Sequence, residues 1–387
     1  MTRDPVYIAG IYEHPIRDAP DKSTIQLHAE VMHGALEDAG LTADAVDGFF
    51  TGSMTDFGYH QGPMNIVEYL DLDTRYVDVT DHGGSSYVSH IGHAAAAIRD
   101  GQCDVAVVTL AGRPRQWHGW GGRIRYHAAA FESIYGTSTL TRYGMAMRRH
   151  MHEYGTTPEQ LAAIKVAASS HAQHNEHAYL PDPVTVEEVV SSPIVADPLR
   201  RMDCCVVTDG GGAFVMVSAD VRSQLERTCV EVLGTGEYVD HQGSGHEVDL
   251  TTTGARRSGP RAFEDAGLGP EHIEYASIYD SFTITVLETI EDLGFCEKGY
   301  GGPFVEDGAL EAPNGDLPFN TDGGGLSNNH PSNRGGVTKV IEAVRQLRDE
   351  TPEAVAVQPD IALAHGTGGG GMARHQSATA ILGREDR

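Results

Sequence analysis

Two stretches of the chain share one pattern of apolar and polar positions. Residues 34–56 (GALEDAGLTADAVDGFFTGSMTD) align without gaps with residues 261–283 (RAFEDAGLGPEHIEYASIYDSFT), at a constant offset of 227. Each stretch has apolar residues at helical spacing, then a glycine, a short connector and a run of apolar residues. The pattern predicts, twice over, a helix with a glycine C-cap that leads into a buried strand.

The similarity between the two regions continues downstream. A predicted helix over 85–100 leads to an apolar run at 103–112, and a predicted helix over 335–349 leads to another at 359–368. Continuous apolar runs are typical of strands that are covered on both faces. We therefore expect an α/β protein of two similar halves, packed as a five-layer α-β-α-β-α body.

The predicted halves are residues 1–220 and 221–387. Residues 113–200 interrupt the first half and are rich in His, Arg, Trp and Tyr. This composition predicts an inserted loop domain, and such insertions commonly shape a substrate pocket. A strand over 204–219 is expected to close the first half, which would bury Cys204 and Cys205 inside a strand.

Composition narrows the class of protein further. The 387 residues are 40% hydrophobic and 21% charged, which predicts an ordered globular protein, and the net charge of -27 makes nucleic acid a poor partner. The sequence shows neither a membrane-spanning run nor a signal peptide, and five cysteines without CxxC spacing favour a reducing cytoplasm. The histidines at 171, 174 and 177 lack a completing ligand set, so no metal site is predicted there or elsewhere.

Four motifs occur along the chain in a distinctive order. They are VTDHGGSSY (79–87), SIYDSFT (277–283), NTDGGGLSNNHPSNRGG (320–336) and HGTGGGGMA (365–373). In this order they resemble motifs of the thiolase superfamily, specifically its sterol-carrier-protein-thiolase-like branch. The resemblance covers essentially the whole chain and implies the thiolase fold.

The resemblance also shows which side chains this sequence lacks. The nucleophilic cysteine of thiolases corresponds to Gly84, with Gly83 as the near alternative, in the segment 79–87 that we call the elbow. The C-terminal acid/base cysteine corresponds to Gly366, or to Thr367 if the glycine run shifts by one. Glycine offers no nucleophile, so acyl transfer through an acyl-enzyme is not expected.

Other parts of the thiolase site remain. The histidine of the Gly-His-Pro motif is present as His330, and Tyr279 stands where thiolases carry the asparagine of Asn-Glu-Ala-Phe. The resemblance implies that these two residues hold the thioester oxygen and share acid/base work, and His330, expected to titrate near neutrality, is favoured as the base. The neighbouring Asp280 is expected to point to the opposite face as a structural residue.

Further residues are candidates for accessory roles. His82 could reach into the space of the missing cysteine or simply pack at the start of helix 85–100, and His365 has a similar ambiguity. Backbone amides of the two glycine loops are expected to approach the acyl-CoA thioester closely. The glycines concerned are Gly83, Gly84, Gly368, Gly369 and Gly370.

A site that stabilises a thioester enolate without a nucleophile suits aldol chemistry. The sequence resembles the steroid side-chain-cleaving aldolases of the superfamily, which implies a carbon–carbon lyase acting on a branched 3-hydroxyacyl-CoA, with no cofactor besides that substrate. The resemblance further implies a homodimer and a zinc-ribbon/OB-fold partner of the DUF35 family. The alternatives are a non-catalytic acyl-CoA-binding or scaffold subunit and, less favoured, a thiolase that uses a displaced cysteine.

Overall fold

The computed structural model describes residues 4–52, 62–116, 138–240, 249–331, 335–369 and 376–385. Its strands are β1 Val6–Glu13, β2 Gly48–Thr51, β3 Tyr76–Val79, β4 Val105–Gly112, β5 Ile194–Ala196, β6 Leu199–Arg200, β7 Gly210–Ser218, β8 Val230–Val239, β9 Tyr275–Ile278, β10 Ile361–Gly368 and β11 Gln376–Arg384. Its α-helices are α1 Thr24–Ala39, α2 Gly62–Tyr69, α3 Ser86–Arg99, α4 Thr139–Tyr154, α5 Pro158–Ala172, α6 Val186–Ser191, α7 Ala219–Arg222, α8 Ala255–Ala266, α9 Thr283–Leu293, α10 Gly301–Phe304, α11 Gly324–Ser327 and α12 Gly336–Leu347.

The repeat seen in the sequence is a repeat of structure. Helix α1 ends before Gly40, and α8 ends before Gly267; both glycines are left-handed C-caps, with φ of 71° and 68°. Strands β2 and β9 follow at the same offset after one 3-10 turn each. The predicted helix, glycine cap and strand are therefore confirmed in both copies.

Within the described ranges, nine strands form one sheet in the order β3-β2-β4-β7-β1-β8-β11-β10-β9. The first five belong to one half and the last four to the other, and each half pairs its strands in the same mixture of parallel and antiparallel neighbours. The halves meet along β1 and β8, where Tyr7 pairs with Glu231 and Ile8 with Val230. The two half-sheets are thus joined at one edge as well as packed together.

Helices α3 and α12 contact each other and pack against strands of both halves, so they form the central layer. Helix α1 covers the other face of β1, β4 and β7, and α8 covers β8 and β11. This arrangement is the predicted five-layer α/β body. Helices α4 to α6 and the small hairpin of β5 and β6 come from the predicted loop domain, and α5 packs on α9 and α11.

One predicted strand is wrong at its beginning. The strand expected over 204–219 begins only at Gly210, and residues 205–209 are irregular. They hydrogen-bond to other loops instead of to a sheet, with Cys205 N donating to Ser281 O at 2.9 Å and Val206 N to Gly325 O at 2.9 Å. This segment therefore runs beside the second half, which the apolar sequence pattern did not indicate.

No helix in the described part of the chain is both long and apolar enough to cross a membrane.

Candidate active site

Tyr279 lies directly after strand β9, at the edge where the elbow and the loop after β10 meet. Its backbone N–H donates to the carbonyl of His365 at 2.9 Å, which extends the pairing of β9 with β10. Asn320 holds the preceding residue with two hydrogen bonds, since its side chain accepts from Ile278 N and donates to Ile278 O, both at 2.8 Å. The backbone that carries the phenol is therefore fixed on two sides.

His330 is positioned by two groups outside the predicted catalytic pair. The hydroxyl of Thr208 accepts a hydrogen bond from His330 N at 2.9 Å and donates to Asn329 Oδ1 at 2.7 Å. Upstream, the Asp280 carboxylate accepts from the backbone N–H groups of Gly325 and Leu326 at 2.8 and 3.0 Å. These bonds fix the turn of α11 that leads to His330, so Asp280 has the structural role expected of it.

Asp280 also has a buried cationic partner. The ammonium of Lys339, on α12, lies 3.3 Å from the Asp280 carboxylate, and both side chains are 1% exposed. Burial opposes the charge of Lys339, but Asp280 and the acidic groups beyond it raise its pKa. A charge pair that is this deeply buried is stable only when both partners are present.

The structure brings the two predicted catalytic side chains together. The Tyr279 hydroxyl lies 2.8 Å from His330 Nε2, and the rings are tilted at 65° with centroids 5.4 Å apart. Both residues are buried, with exposures of 1% and 7%. A phenol and an imidazole in direct contact can exchange a proton and donate one hydrogen bond outward.

Burial decides the protonation state of both groups. It lowers the pKa of His330 to about 4, an effect that the nearby Asp280 only partly opposes. Burial also raises the pKa of Tyr279 well above its usual value of 10, with Cys205 and Asp280 acting in the same direction. The expectation that His330 titrates near neutrality is therefore wrong. At neutral pH the site holds a neutral imidazole and a protonated phenol.

The elbow shows why position 84 carries no side chain. The φ of Gly83 is 78°, and a Cβ atom placed on Gly84 would lie 2.3 Å from Cε2 and 2.5 Å from Cζ of Tyr279. Separations below 3.0 Å are essentially never seen for real Cβ atoms. The Tyr279 ring therefore fills the space into which a residue at 84 would project.

The glycines at the end of β10 and directly after it close against the elbow backbone. A Cβ on Gly366 would lie 2.8 Å from Ser85 Cα, and one on Gly368 would lie 1.7 Å from the carbonyl oxygen of His82. Gly369 has a φ of 100°, and its amide nitrogen lies 3.2 Å from where a Cβ of Gly83 would be. The two predicted glycine loops thus meet through their backbones, while Gly370 lies outside the described residues.

His82 and His365 form their hydrogen bonds away from the Tyr279–His330 pair. His82 turns back to the start of α3, where its Nδ1 lies 2.6 Å from the Ser85 hydroxyl, and burial lowers its pKa. His365 Nδ1 lies 2.9 Å from the Thr379 hydroxyl, under α8, and burial lowers its pKa to about 3. For His82 this contact is the packing alternative considered above.

Cys205 is closer to the site than the sequence predicted. Its backbone bonds to Ser281, two residues after Tyr279, and its thiol contributes to the raised pKa of the phenol. Burial raises the pKa of the Cys205 thiol itself, with Cys204 and Asp280 adding to the effect. A thiol that stays protonated at neutral pH is a poor nucleophile.

Family comparison agrees with the duplicated fold. The model described as "Thiolase, N-terminal domain" matches residues 6–220, and that described as "Thiolase C-terminal domain-like" matches residues 236–384. The chain belongs to the thiolase superfamily. The superfamily prediction made from the four motifs is therefore confirmed.

Similar proteins in the superfamily carry names from two reaction classes. The chain is 32% identical over 378 residues to an acetyl-CoA acetyltransferase of Methanothermobacter thermautotrophicus, covering 95% of this chain and 97% of the relative. It is also 32% identical over 379 residues to the 17-hydroxy-3-oxo-4-pregnene-20-carboxyl-CoA lyase of Mycobacterium tuberculosis, covering 93% and 96%. The solved structure of an "Ltp2-ChsH2(DUF35) aldolase" superposes with a TM-score of 0.87 at 27% identity, covering 99% of this chain and 98% of that one.

Proposed function

We propose that this member of the thiolase superfamily is a carbon–carbon lyase that cleaves the Cα–Cβ bond of a branched 3-hydroxyacyl-CoA. The reaction releases a ketone or aldehyde together with propionyl-CoA or acetyl-CoA, and the substrate is of the steroid side-chain type. The observation that carries the proposal is the Tyr279 ring, which fills the side-chain space of Gly84 and bonds to His330. The lyase and aldolase names of two similar proteins support the same class.

The two side chains provide a route for the proton. As the β-hydroxyl of the substrate gives its proton to the Tyr279 oxygen, Tyr279 passes its own proton to His330 Nε2, 2.8 Å away. The Cα–Cβ electron pair moves into the thioester as an enolate while the β-carbon leaves as a carbonyl. Return of a proton to Cα completes the reaction and restores the pair. At neutral pH the imidazole is unprotonated and can accept the proton, and the phenol is protonated and can donate it.

No covalent link to the protein is required in this scheme. We assign the backbone amides of Gly83, Gly84, Gly368 and Gly369 to holding the developing charge on the thioester oxygen, and the Gly83 N–H, which donates to Asp81 Oδ1 at 3.3 Å, exchanges that partner for the substrate. The thioester itself supplies the electron sink. The proposed reaction therefore uses no cofactor beyond the substrate's own CoA.

The test is a cleavage assay on the protein with and without a co-expressed DUF35 protein. Branched 3-hydroxyacyl-CoA thioesters are incubated with each preparation, and released propionyl-CoA or acetyl-CoA is measured by chromatography. Tyr279→Phe and His330→Gln are expected to lower kcat by about 100-fold to 10,000-fold, the range for acid/base groups. Cys205→Ser is the control and is expected to retain activity, because the proposed route uses no thiol.

Three results would contradict the proposal. Loss of activity in Cys205→Ser together with a trapped acyl-enzyme would indicate thiolase chemistry at a displaced cysteine. Full activity in Tyr279→Phe would remove the phenol from the mechanism. Absence of cleavage with every thioester, while CoA binding persists in both site variants, would favour a scaffold subunit.

We further propose that the working assembly contains two copies of this chain and a DUF35 partner. Strand β3 forms an edge of the sheet, and its Val77 and Val79 are 47% and 45% exposed, which supports pairing of this edge with a second copy. The DUF35 component named in the similar aldolase structure supports the partner. Light scattering of the chain alone and of the co-expressed complex tests both expectations, and a monomer that does not co-purify with a DUF35 protein contradicts them.

A further inference from the structure

A second cluster of ionisable side chains lies between strand β3 and helix α3, near the elbow. Among the described residues, Asp78 of β3 and His90 and His93 of α3 each offer one ligand atom, and these atoms lie within 4.8 Å of one another. The two histidines are three residues apart and so share one helix face. The lyase proposed above uses none of these three residues.

His90 has a nitrogen without a partner in the described part of the chain. The side chain is fully buried, and its Nε2 lies 2.9 Å from the carbonyl oxygen of Thr51, so Nε2 carries the proton in that bond. Its Nδ1 is buried and makes no hydrogen bond to any described residue. Because Nε2 donates to Thr51, the neutral imidazole keeps its lone pair on Nδ1. An unsatisfied buried nitrogen needs a physical explanation, and here two further ligand-type side chains lie beside it.

The other two side chains are oriented by outer partners. His93 Nε2 lies 2.9 Å from Glu237 of β8, and its Nδ1 lies 2.9 Å from the Asp78 carboxylate. The second carboxylate oxygen of Asp78 accepts from the Thr80 hydroxyl at 3.0 Å. Each candidate ligand therefore has one oriented hydrogen bond to a group outside the cluster: His90 to the Thr51 carbonyl, His93 to Glu237 and Asp78 to Thr80. Metal-binding histidines and carboxylates are typically supported in this way.

We propose that Asp78, His90 and His93 bind one divalent transition-metal ion of the Zn²⁺ type. Two imidazoles and one carboxylate match the ligands that Zn²⁺ prefers, whereas Mg²⁺ and Ca²⁺ prefer oxygen ligands alone. The ion is ligated by His90 Nδ1, His93 Nδ1 and Asp78 Oδ2, and water completes its shell. Bringing these atoms to zinc-site spacing requires movements of about 1 Å, which the half-buried Asp78 and His93 side chains allow.

The position of the site indicates what the metal does. It joins the edge strand β3 to the central helix α3, and Glu237 extends the connection to β8 of the second half. The Asp78 and Glu237 carboxylates each lie 2.9 Å from a ring nitrogen of His93, so two negative charges face this place. The metal therefore acts as a cross-link that fastens an edge of the sheet.

The experiment uses the untagged full chain, stripped with EDTA and titrated with Co²⁺ and with Zn²⁺. The expected result is one equivalent of Co²⁺ with a visible ligand-field band, displaced by Zn²⁺ and unaffected by a large excess of Mg²⁺, and a thermal midpoint that rises on binding. Asp78→Asn and His93→Gln are expected to weaken binding at least 100-fold, and Glu237→Gln about 10-fold. Circular dichroism in EDTA verifies that each variant is folded.

The matched control is His174→Gln, which removes an exposed histidine from the His-rich stretch 171–177. It is expected to bind Co²⁺ like the unchanged chain. Stoichiometry below a tenth of an equivalent, undiminished binding by folded Asp78→Asn, or loss of binding in His174→Gln would each overturn the proposal. Because the readout is metal binding, it is independent of whether the chain cleaves any thioester.

Discussion

The tightest test of the site is to add one carbon atom at the elbow. In Gly84→Ala, the new Cβ would lie 2.3 Å from Tyr279 Cε2, while ordinary contact begins at 3.4 Å. The ring must therefore move by about 1 Å, and it cannot do so without lengthening its 2.8 Å bond to His330. The same Cβ would also lie 2.7 Å from the backbone oxygen of Thr367, so a shift of the elbow backbone offers little relief.

Gly84→Ala should lower both kcat and the free energy of unfolding. A misplacement of about 1 Å costs about 100-fold in kcat, and forcing an extra methyl into a packed interior costs about 1–3 kcal/mol of unfolding free energy. Steady-state cleavage of the best 3-hydroxyacyl-CoA gives the first number, and denaturant unfolding gives the second. In the background of Tyr279→Phe, where the hydroxyl is already gone, the added methyl should lower kcat much less.

Gly101→Ala provides a control at the other end of α3. Gly101 has a φ of 69° and no described atom within 4 Å of the position its Cβ would take, so the substitution strains the backbone without a collision. It should cost about 1 kcal/mol of stability and leave kcat unchanged. If Gly84→Ala retains full activity, or if Gly101→Ala loses as much, the steric account of the elbow is refuted.

Three further predictions concern the groups around His330. Asp280→Asn removes the carboxylate paired with the buried Lys339 charge and should lower the free energy of unfolding by about 3 kcal/mol, measured by urea denaturation; a loss below about 1 kcal/mol would contradict the pairing. Thr208→Val removes the acceptor of His330 N and should cost about 1–3 kcal/mol, with a lower kcat at unchanged KM. Because the folded pKa of His330 is about 4, kcat/KM should stay level from about pH 8 to about 5, and an acid limb near about 6.5 would contradict this.

The same pKa predicts how stability depends on pH. In the unfolded chain His330 has a pKa near 6.5, so the unfolded state binds its proton first. The contribution of His330 to folding is therefore complete above about pH 6.5 and is lost as the pH falls toward 4. His330→Gln should make this part of the stability profile less steep, as measured by thermal midpoints across the range, while His171 and His365, whose pKa values burial also lowers, keep the remaining slope.

The repeat could be predicted from sequence because its determinants are local. Gly40 and Gly267 end their helices in the left-handed conformation, which glycine adopts without strain, and the apolar runs that follow specify buried strands. The contact between Tyr279 and His330 could not be predicted from local sequence, because the two residues are 51 positions apart. Only the resemblance to thiolase motifs placed them in one site.

Other features could not be predicted because they depend on tertiary contacts. The low pKa of His330 comes from burial, which no spacing of residues reveals. Cys205 follows an apolar pattern typical of a strand, yet its backbone bonds to Ser281 rather than to a sheet partner. Likewise, His93 meets Glu237 across 144 positions, so the histidine spacing on α3 gave no sign of the cluster.

The shared space of positions 84 and 279 also constrains how this sequence can change. A cysteine at position 84 cannot be accommodated while the Tyr279 ring is present. A small residue at 279 combined with glycine at 84 leaves a cavity that contains neither the thiol nor the phenol. Each single substitution from the present pair therefore leaves either a collision or an unfilled space. If the proposed function holds, exchange between acyl transfer and bond cleavage needs positions 84 and 279 to change together, and a glycine–tyrosine pair at these positions is then expected to accompany the loss of acyl transfer.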